Sequence, residues 1–344
     1  MKILYGLQTT GNGHIIRSTP VIAGLKARGH DVLTLLSGPS LDGRWDPGQF
    51  APIEVRRGLT FVHEAGRIRY LKTGGQLQLL RFASEVEQFR PFDFDLVVTD
   101  YEPVSARIAR IRGIPSIGLG HLYAFQHKVP VAGGNLLTRM VMTKFAPTDV
   151  ALGMHWHHFG QPLLPPAVSG DLPQPETPVQ DLILVYMPFE DIDAVCDLLR
   201  EFGDYRFHMY TRVDAEQRRA NIRLRPVGRA DFLADLARCN GVMSNAGFTL
   251  LSEALHLGKK ILAKPLLGQV EQTSNAAALE QLGLGATMYE LDAARIRSWL
   301  SAPALAPMRY PDVQAAIVDW IDRGMTPGPE QFAAGLWAQA NLDD

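Results

Sequence analysis

The 344-residue sequence has few of the features that mark secreted, membrane-spanning or nucleic-acid-binding proteins. It contains only two cysteines, Cys196 and Cys239, which excludes a disulfide framework and favours a reducing, cytoplasmic compartment. A formal charge of −2 excludes a strongly basic nucleic-acid footprint over the whole chain. No apolar run approaches the ~18 residues of a transmembrane helix, and the opening at 1–6 predicts a strand rather than a signal peptide. We therefore expect a cytoplasmic protein, with at most peripheral membrane contact.

What the sequence does contain is an alternation of short apolar strands and amphipathic helices in each half. Lys2–Gln8 reads as a buried strand, Arg17–Arg28 as a helix and Asp31–Leu36 as the next strand, and the pattern restarts at Leu182–Met187. Repeated β-α-β units of this kind form parallel, doubly wound sheets. The length is sufficient for two such domains, each with its own core.

A strand–turn–helix unit in the second half has the form of an anion site. Gly241–Ser244 predicts a strand, a turn containing Gly247 follows, and the next helix ends at Gly258. The unpaired N–H groups at such a helix start bind anions, most often phosphate. Glu253 lies about two turns into the helix, where its carboxylate can accept hydrogen bonds from vicinal hydroxyls such as those of a ribose. The simpler alternative for the turn alone is an ordinary structural unit in which Asn245 caps the helix.

The glycine loop after the first strand raises the possibility of a dinucleotide-binding fingerprint. Gly11 and Gly13 match the first half of that motif, but Ile16 occupies the third glycine position. The acidic residue that should end the second strand is also absent, since Asp31 precedes that strand. The sequence therefore does not support a nicotinamide cofactor.

The ordered set of the turn, Glu253 and the later pair Glu271-Gln272 resembles the donor-site motif of GT-B nucleotide-sugar glycosyltransferases. It is similar to family 1 and family 28 enzymes, namely UDP-glycosyltransferases and the peptidoglycan N-acetylglucosaminyltransferase that makes lipid II. It is more similar still to a bacterial and archaeal group of that superfamily, over the length of the chain. The resemblance implies an α/β fold of the GT-B type, in which two Rossmann-like doubly wound domains face each other across a cleft.

The resemblance also implies roles for residues of the second domain. Gly247 and Thr249, with the helix start, hold the diphosphate, Glu253 holds the ribose, and Glu271 and Gln272 hold sugar hydroxyls. Asn245 replaces a histidine of the family pattern, which keeps a hydrogen-bond donor but gives up any positive charge. The expected donor-binding residues are Asn245, Gly247, Phe248, Thr249, Glu253, Glu271, Gln272 and Phe232, the last as an apolar wall beside the nucleotide base.

In the first domain, Gly13-His14 matches the glycine-rich acceptor loop of the family, which ends in Gly-His. An imidazole at this place can take a proton from an acceptor hydroxyl as that hydroxyl attacks. Asp100 follows the strand Phe94–Thr99, and the resemblance implies that it pairs with His14. Glu102 is the alternative partner or an acceptor ligand, and Asp100 instead caps the helix Val104–Arg112 in the simplest structural interpretation. Gly13, Glu102 and His121 are the expected acceptor contacts.

The expected organisation is an acceptor-binding domain at 1–160, a proline-rich linker at 161–180, a nucleotide-sugar-binding domain at 181–310, and carboxyl-terminal helices at 311–344 that pack back towards the first domain. The histidines at 155–158 lack an acid or cysteine partner at ligand spacing, so we assign them to the hinge and expect no metal site. Basic and apolar residues alternate at 67–81 and 135–145. Such segments either lie on an anionic bilayer or pack as ordinary helices on the core.

These observations predict a metal-independent, inverting hexosyltransferase that needs no cofactor beyond its nucleotide-sugar co-substrate. The expected partners are a UDP-sugar donor and a saccharide, lipid or small-molecule acceptor, with no nucleic acid; the oligomeric state stays open. One alternative is a non-hydrolysing UDP-N-acetylhexosamine 2-epimerase, which shares the fold and the nucleotide site. Another is a nucleotide-sugar-binding protein without catalysis.

Overall fold

The computed structural model contains two parallel β-sheets, each flanked by helices. It describes residues 1–9, 11–38, 47–59, 63–64, 67–68, 76–90, 93–134 and 142–340. Thr10 and parts of the two basic, apolar segments, 69–75 and 135–141, lie outside these residues. Leu79 and Leu80, from the first segment, are exposed rather than packed on the core. No helix in the described ranges is long and apolar enough to cross a membrane.

The first lobe is built on a six-stranded parallel sheet of order β3-β2-β1-β6-β7-β8, whose strands lie within residues 2–153. Apolar side chains fill most positions of its inner strands, as expected where helices cover both faces of a parallel sheet. Its strands are β1 (Lys2–Gln8), β2 (Asp31–Ser37), β3 (Ile53–Arg56), β6 (Leu96–Asp100), β7 (Ser116–Gly120) and β8 (Val150–Gly153), with a small separate pair β4 (His63–Glu64) and β5 (Arg67–Ile68). Its helices are α1 (Asn12–Ala27), α2 (Gln76–Glu87) and α3 (Pro103–Arg112).

The second lobe, residues 179–301, carries a seven-stranded sheet of order β11-β12-β10-β9-β13-β14-β15, parallel except for the edge strand β11. Its strands are β9 (Val179–Tyr186), β10 (Arg206–Thr211), β11 (Gln217–Arg219), β12 (Ile222–Pro226), β13 (Cys239–Asn245), β14 (Lys260–Lys264) and β15 (Ala286–Thr287). Its helices are α4 (Ile192–Leu199), α5 (Arg229–Arg238), α6 (Phe248–His256), α7 (Val270–Gln281) and α8 (Ala293–Ser301). The α/β class predicted from the sequence is confirmed.

Two further helices, α9 (Val313–Asp322) and α10 (Pro329–Trp337), follow the second lobe. Helix α9 packs on α1 of the first lobe so closely that a Cβ atom on Gly24 would lie 2.8 Å from a methyl group of Val318. Arg28 donates a 3.0 Å hydrogen bond to Asp322 beside this contact. The chain therefore returns to the first lobe after completing the second.

Each sheet has one point at which successive strands stop adding to one edge and begin to add to the other. In the first lobe this switch point lies between β1 and β6, and in the second it lies between β9 and β13. Ligands of doubly wound sheets bind at the carboxyl ends of the strands that flank such a point. Helix α1 follows β1, and helix α6 follows β13, so the starts of these two helices mark where each lobe is expected to bind its ligand.

Candidate active site

The first lobe's site is built around Asp100, the last residue of β6. His14 lies in the first turn of α1 rather than in a loop, because the helix begins at Asn12, five residues before the predicted start. Nδ1 of His14 lies 2.9 Å from Oδ1 of Asp100. The Asp100 side chain is fully buried, whereas 20% of the His14 side chain is exposed. The structure thus brings together the two residues that the sequence analysis paired.

Arg17 completes this group, and the sequence analysis missed it. One turn after His14 on α1, its guanidinium donates to both oxygens of Asp100, at 2.9 Å from Nε and 2.5 Å from Nη2. Ser18 donates a further 2.8 Å hydrogen bond. Burial by itself would raise the pKa of Asp100, but Arg17 and His14 outweigh it and lower that pKa to about 2. Asp100 is therefore ionised at neutral pH although it is buried.

The hydrogen bonds around Asp100 determine which nitrogen of His14 carries the proton. A carboxylate can only accept, so Nδ1 must be the donor across the 2.9 Å contact. Arg17 Nη2 lies 3.4 Å from the same nitrogen and cannot bond to it once Nδ1 is protonated. Nε2 of the neutral ring is then left with its lone pair. This is the arrangement needed for a general base that points away from its orienting carboxylate.

Glu102, the other expected partner of His14 or acceptor contact, is engaged elsewhere in the structure. Its side chain is fully buried and caps α3, accepting from the backbone N–H of Val104 at 2.8 Å and of Ser105 at 2.6 Å. The helix-capping role considered for Asp100 therefore belongs to Glu102. Tyr101, between the two acids, has a φ of 54° that turns the chain sharply enough for each carboxylate to face a different helix.

The start of α6 in the second lobe faces the start of α1. A Cβ atom on Gly13 would lie 2.5 Å from Oγ1 of Thr249, so any larger residue at this position would have to displace the Thr249 side chain or the helix start. Helix α6 begins at Gly247 with no side-chain cap. Within the described part of the chain, no hydrogen bond is made by the first N–H groups of α6, those of Phe248, Thr249 and Leu250. Gly247 is half-exposed, with no atom within 4 Å of the place where a Cβ would sit. This helix start can accept an anion.

Comparison with known proteins identifies the family. Residues 1–303 match the family model described as glycosyl transferase family 1. The chain belongs to glycosyl transferase family 1. No curated protein matches it.

Solved glycosyltransferases share its fold at low sequence identity. SnogD from Streptomyces nogalater has a TM-score of 0.56 at 17% identity, over 98% of this chain and 99% of that one. The calicheamicin glycosyltransferase CalG4 gives 0.58 at 17% identity, over 98% of each chain. SsfS6 from Streptomyces sp. SF2575, complexed with thymidine diphosphate, gives 0.56 at 15% identity, over 98% and 96%. The predicted GT-B fold of two Rossmann-like domains is confirmed.

In this glycosyltransferase the charge of Glu271, in the opposite lobe, acts on Arg17. Burial acts to lower the pKa of Arg17, but the negative charge of Asp100 raises that pKa, and Glu271 acts in the same direction as Asp100. Glu271 is partly exposed at the start of α7. Gln272 is buried, and its side-chain oxygen accepts a 3.0 Å hydrogen bond from the backbone N–H of Leu266. Gln272 therefore shapes the loop before α7, while Glu271 faces the junction between the lobes.

Glu253 is not open to a ribose as expected. Only 1% of the residue is exposed, and its Oε1 accepts a 2.9 Å hydrogen bond from Arg229. Arg229 also binds Asp171 of the connector, at 2.8 Å. Burial raises the pKa of Glu253, and Arg229 acts against that rise. A carboxylate this deeply buried needs a counter-charge, and nothing in the spacing of the sequence indicates Arg229 as that partner.

Asn245 and Phe232 are also held by contacts within the second lobe. The side-chain nitrogen of Asn245 donates to Oε1 of Glu190 at 3.2 Å and to the backbone oxygen of Lys264 at 3.1 Å. The ring of Phe232 is buried on α5, with its centroid 5.0 Å from that of Tyr210. Helix α5 begins at Arg229, where a loop was expected, which turns Phe232 into the core instead of towards a base.

His121, an expected acceptor contact, lies between the lobes and is held by residues of both. It is buried, and its ring stacks on that of Phe248 with 3.9 Å between centroids. Its two nitrogens lie 2.9 Å from the backbone oxygen of Met154 and 2.6 Å from Oδ1 of Asn275. Burial lowers the pKa of His121. His121 and Phe248 thus join the first lobe to the helix that carries the anion site.

The histidine-rich segment that was assigned to the hinge lies at the same junction. Trp156 donates a 2.9 Å hydrogen bond to Ser252 on α6. His155, His157 and His158 each accept a backbone N–H through Nδ1. Across the residues that the structure describes, no group of three or more His, Cys, Asp or Glu side chains is arranged to hold a metal ion.

Proposed function

We propose that this glycosyltransferase moves a hexose from a pyrimidine nucleoside diphosphate, UDP or TDP, to an acceptor hydroxyl with inversion at the anomeric carbon. The observation that carries the proposal is the 2.9 Å contact of His14 with Asp100, at a helix start that faces the uncapped start of α6. One lobe offers a base and the other an anion site. The thymidine diphosphate bound to SsfS6 favours a pyrimidine donor.

His14 acts as the general base in this proposal. Nε2 takes the proton of the acceptor hydroxyl while the hydroxyl oxygen forms its bond to the anomeric carbon. Asp100 holds the ring in the required tautomer and stabilises the imidazolium that forms. Arg17 keeps Asp100 ionised throughout. Attack from the side opposite the diphosphate inverts the anomeric centre.

The leaving group departs towards the second lobe. As the bond from the anomeric carbon to the phosphate oxygen breaks, its electron pair remains on the diphosphate. The N–H groups at the start of α6, from Phe248 to Leu250, then stabilise the growing negative charge without requiring a metal ion. In this proposal Glu271, whose charge acts on Arg17, binds a hydroxyl of the transferred sugar.

The test is His14→Ala, with His127→Ala as the control because His127 is a partly exposed histidine of the same lobe. Transfer is measured against a panel of saccharide, lipid and small-molecule acceptors with UDP- and TDP-hexoses, and nucleotide affinity by calorimetry. We expect His14→Ala to lower kcat at least about 100-fold with little change in nucleotide Kd. His127→Ala should behave as the unmodified protein.

Each alternative function has its own result in this experiment. An isomeric sugar nucleotide formed without an acceptor would indicate an epimerase. Binding of the donor without turnover over the whole panel would indicate a non-catalytic protein. Full turnover by His14→Ala would remove His14 as the base.

A further inference from the structure

A buried ion pair crosses the switch point of the second lobe. Lys264, the last residue of β14, places its Nζ 2.9 Å from Oε1 of Glu190, in the loop that follows β9. Strand β13 lies between β9 and β14 in the sheet. The Lys264–Glu190 pair therefore passes over the carboxyl end of β13, where the chain turns into the start of α6.

The hydrogen bonds around this pair are incomplete. Asn245, the last residue of β13, donates its side-chain N–H to the same oxygen of Glu190 at 3.2 Å. Its own side-chain oxygen is buried and has no hydrogen-bond partner in the described structure. A buried network whose purpose is structural normally satisfies all its members. The group formed by Lys264, Glu190 and Asn245 lacks a donor, which is typical of a site that rearranges when a ligand binds.

Stability alone does not explain two charged side chains at this place. The side chains of Lys264 and Glu190 are only 10% and 14% exposed. Removing such charges from water costs about as much as their mutual attraction returns, and apolar residues of similar size are often as stable. A retained charge at the ligand-binding end of a parallel sheet instead indicates a role in binding.

The turn at the anion site supplies no cation of its own. The residues of the turn and first helical positions, from Asn245 to Leu250, carry no charge. Arg17, across the junction, is held by both oxygens of Asp100. Lys264 pairs with Asn245 in the register of β13 and β14, so it stands next to the turn.

We propose that Lys264 binds the diphosphate of the sugar-nucleotide donor, with Glu190 as the partner that holds it when the donor is absent. The inference rests on the proposed function. Donor binding exchanges a carboxylate for phosphate oxygens around the ammonium group, and the positive charge then lies next to the bond that breaks. The fixed N–H groups of α6 and the mobile charge of Lys264 act on the same leaving group.

The two members of the pair should respond in opposite directions when changed. Lys264→Met removes the cation, so the affinity for UDP and TDP should fall by about 10- to 100-fold. Glu190→Gln keeps a hydrogen-bond acceptor but removes the competing negative charge, so the same affinities should rise. A merely structural ion pair would give losses in both variants.

Calorimetry with UDP and TDP measures these affinities, and saturation-transfer NMR with uridine and thymidine tests whether the phosphates are responsible. Nucleoside binding should be unchanged in both variants. Lys260→Met is the control, because Lys260 is a buried lysine at the opposite end of β14 whose Nζ donates to the backbone oxygens of Leu300 and Ala302. It should leave all affinities as they are. Lys264→Arg, which keeps the charge, should bind diphosphates nearly normally.

The outcomes separate this inference from the proposed function. An unmodified protein that binds neither UDP nor TDP would contradict both. If it binds them and Lys264→Met binds equally well, only the role of Lys264 is wrong. Should Lys264→Met fail to fold, Glu190→Gln decides: tighter diphosphate binding supports the inference, and unchanged or weaker binding overturns it.

Discussion

Replacing Arg17 by methionine should change both the stability of the protein and its dependence on pH. The guanidinium supplies two of the hydrogen bonds to the buried carboxylate of Asp100, and His14 and Ser18 supply the others. Methionine fills a similar volume but leaves that carboxylate without its permanent counter-charge. Removing one partner of a buried ion pair typically costs about 3–5 kcal/mol.

The lowered pKa of Asp100 makes the stabilisation that it gains from Arg17 and His14 dependent on pH. That pKa lies at about 2 in the folded protein, below the ordinary aspartate value of 3.8. The difference corresponds to about 2 kcal/mol at neutral pH. Because the folded pKa is the lower one, this stabilisation is fully present above pH 3.8 and is lost as the pH falls through about 2. The stability difference between the unmodified protein and Arg17→Met should therefore be large at neutral pH and shrink on acidification.

Urea unfolding between about pH 2.5 and 7 measures this difference, with fluorescence and circular dichroism as independent probes. Arg110→Met is the control, since Arg110 is an exposed arginine of the same lobe and should change stability by less than about 0.5 kcal/mol. The double variant Arg17→Met/Asp100→Asn removes both charges and should cost less than the sum of the single changes. A loss below about 1 kcal/mol, or a loss that stays constant with pH, would refute the ion-pair argument.

Two further predictions follow from close packing. Gly13→Ala should lower kcat/KM by about 100-fold, because its methyl group would meet Thr249 at 2.5 Å and displace the two helix starts from each other. Gly11→Ala is the control and should be active, because the nearest atom to its methyl group lies at 3.9 Å. Equal activity of both variants would contradict this prediction. Cys196 and Cys239 are buried, and burial raises the pKa of Cys239 to about 12, so neither thiol should react with a disulfide reagent until the protein unfolds. Rapid labelling of the native protein would show that one of them is accessible.

The strands could be predicted from the sequence because few other secondary structures fit short apolar runs that are bounded by glycine or proline. Lys2–Gln8 is a strand with the same bounds as predicted. The start of α1 was harder. Gly11 and Gly13 are typical of a loop, and Pro20 stands inside the helix. Contacts from elsewhere in the chain, those of Gly13 with Thr249 and of His14 and Arg17 with Asp100, outweigh these local preferences.

The candidate site could be predicted only in part, because a sequence does not show how a buried charge is compensated. His14 and Asp100 follow neighbouring strands on either side of a switch point, and that placement follows from the order of elements. Glu102 and Glu253 carry the same chemical group, yet one caps a helix and the other is held by Arg229. Their partners come from positions whose proximity depends on the packing of side chains.

The two switch points share one electrostatic arrangement, and this bears on how the transfer is accelerated. At each switch point a carboxylate forms an ion pair with a cation of the same lobe: Asp100 with Arg17, and Glu190 with Lys264. Neither switch point therefore carries a large net charge before the donor binds. In the proposed reaction a positive charge develops on His14 while a negative charge develops on the departing diphosphate. Both charges arise at the junction of the lobes, where Gly13 and Thr249 hold the helix starts together. Their attraction exists only as the proton and the sugar move, and an interaction that is stronger in the transition state than in the ground state is the kind that raises kcat.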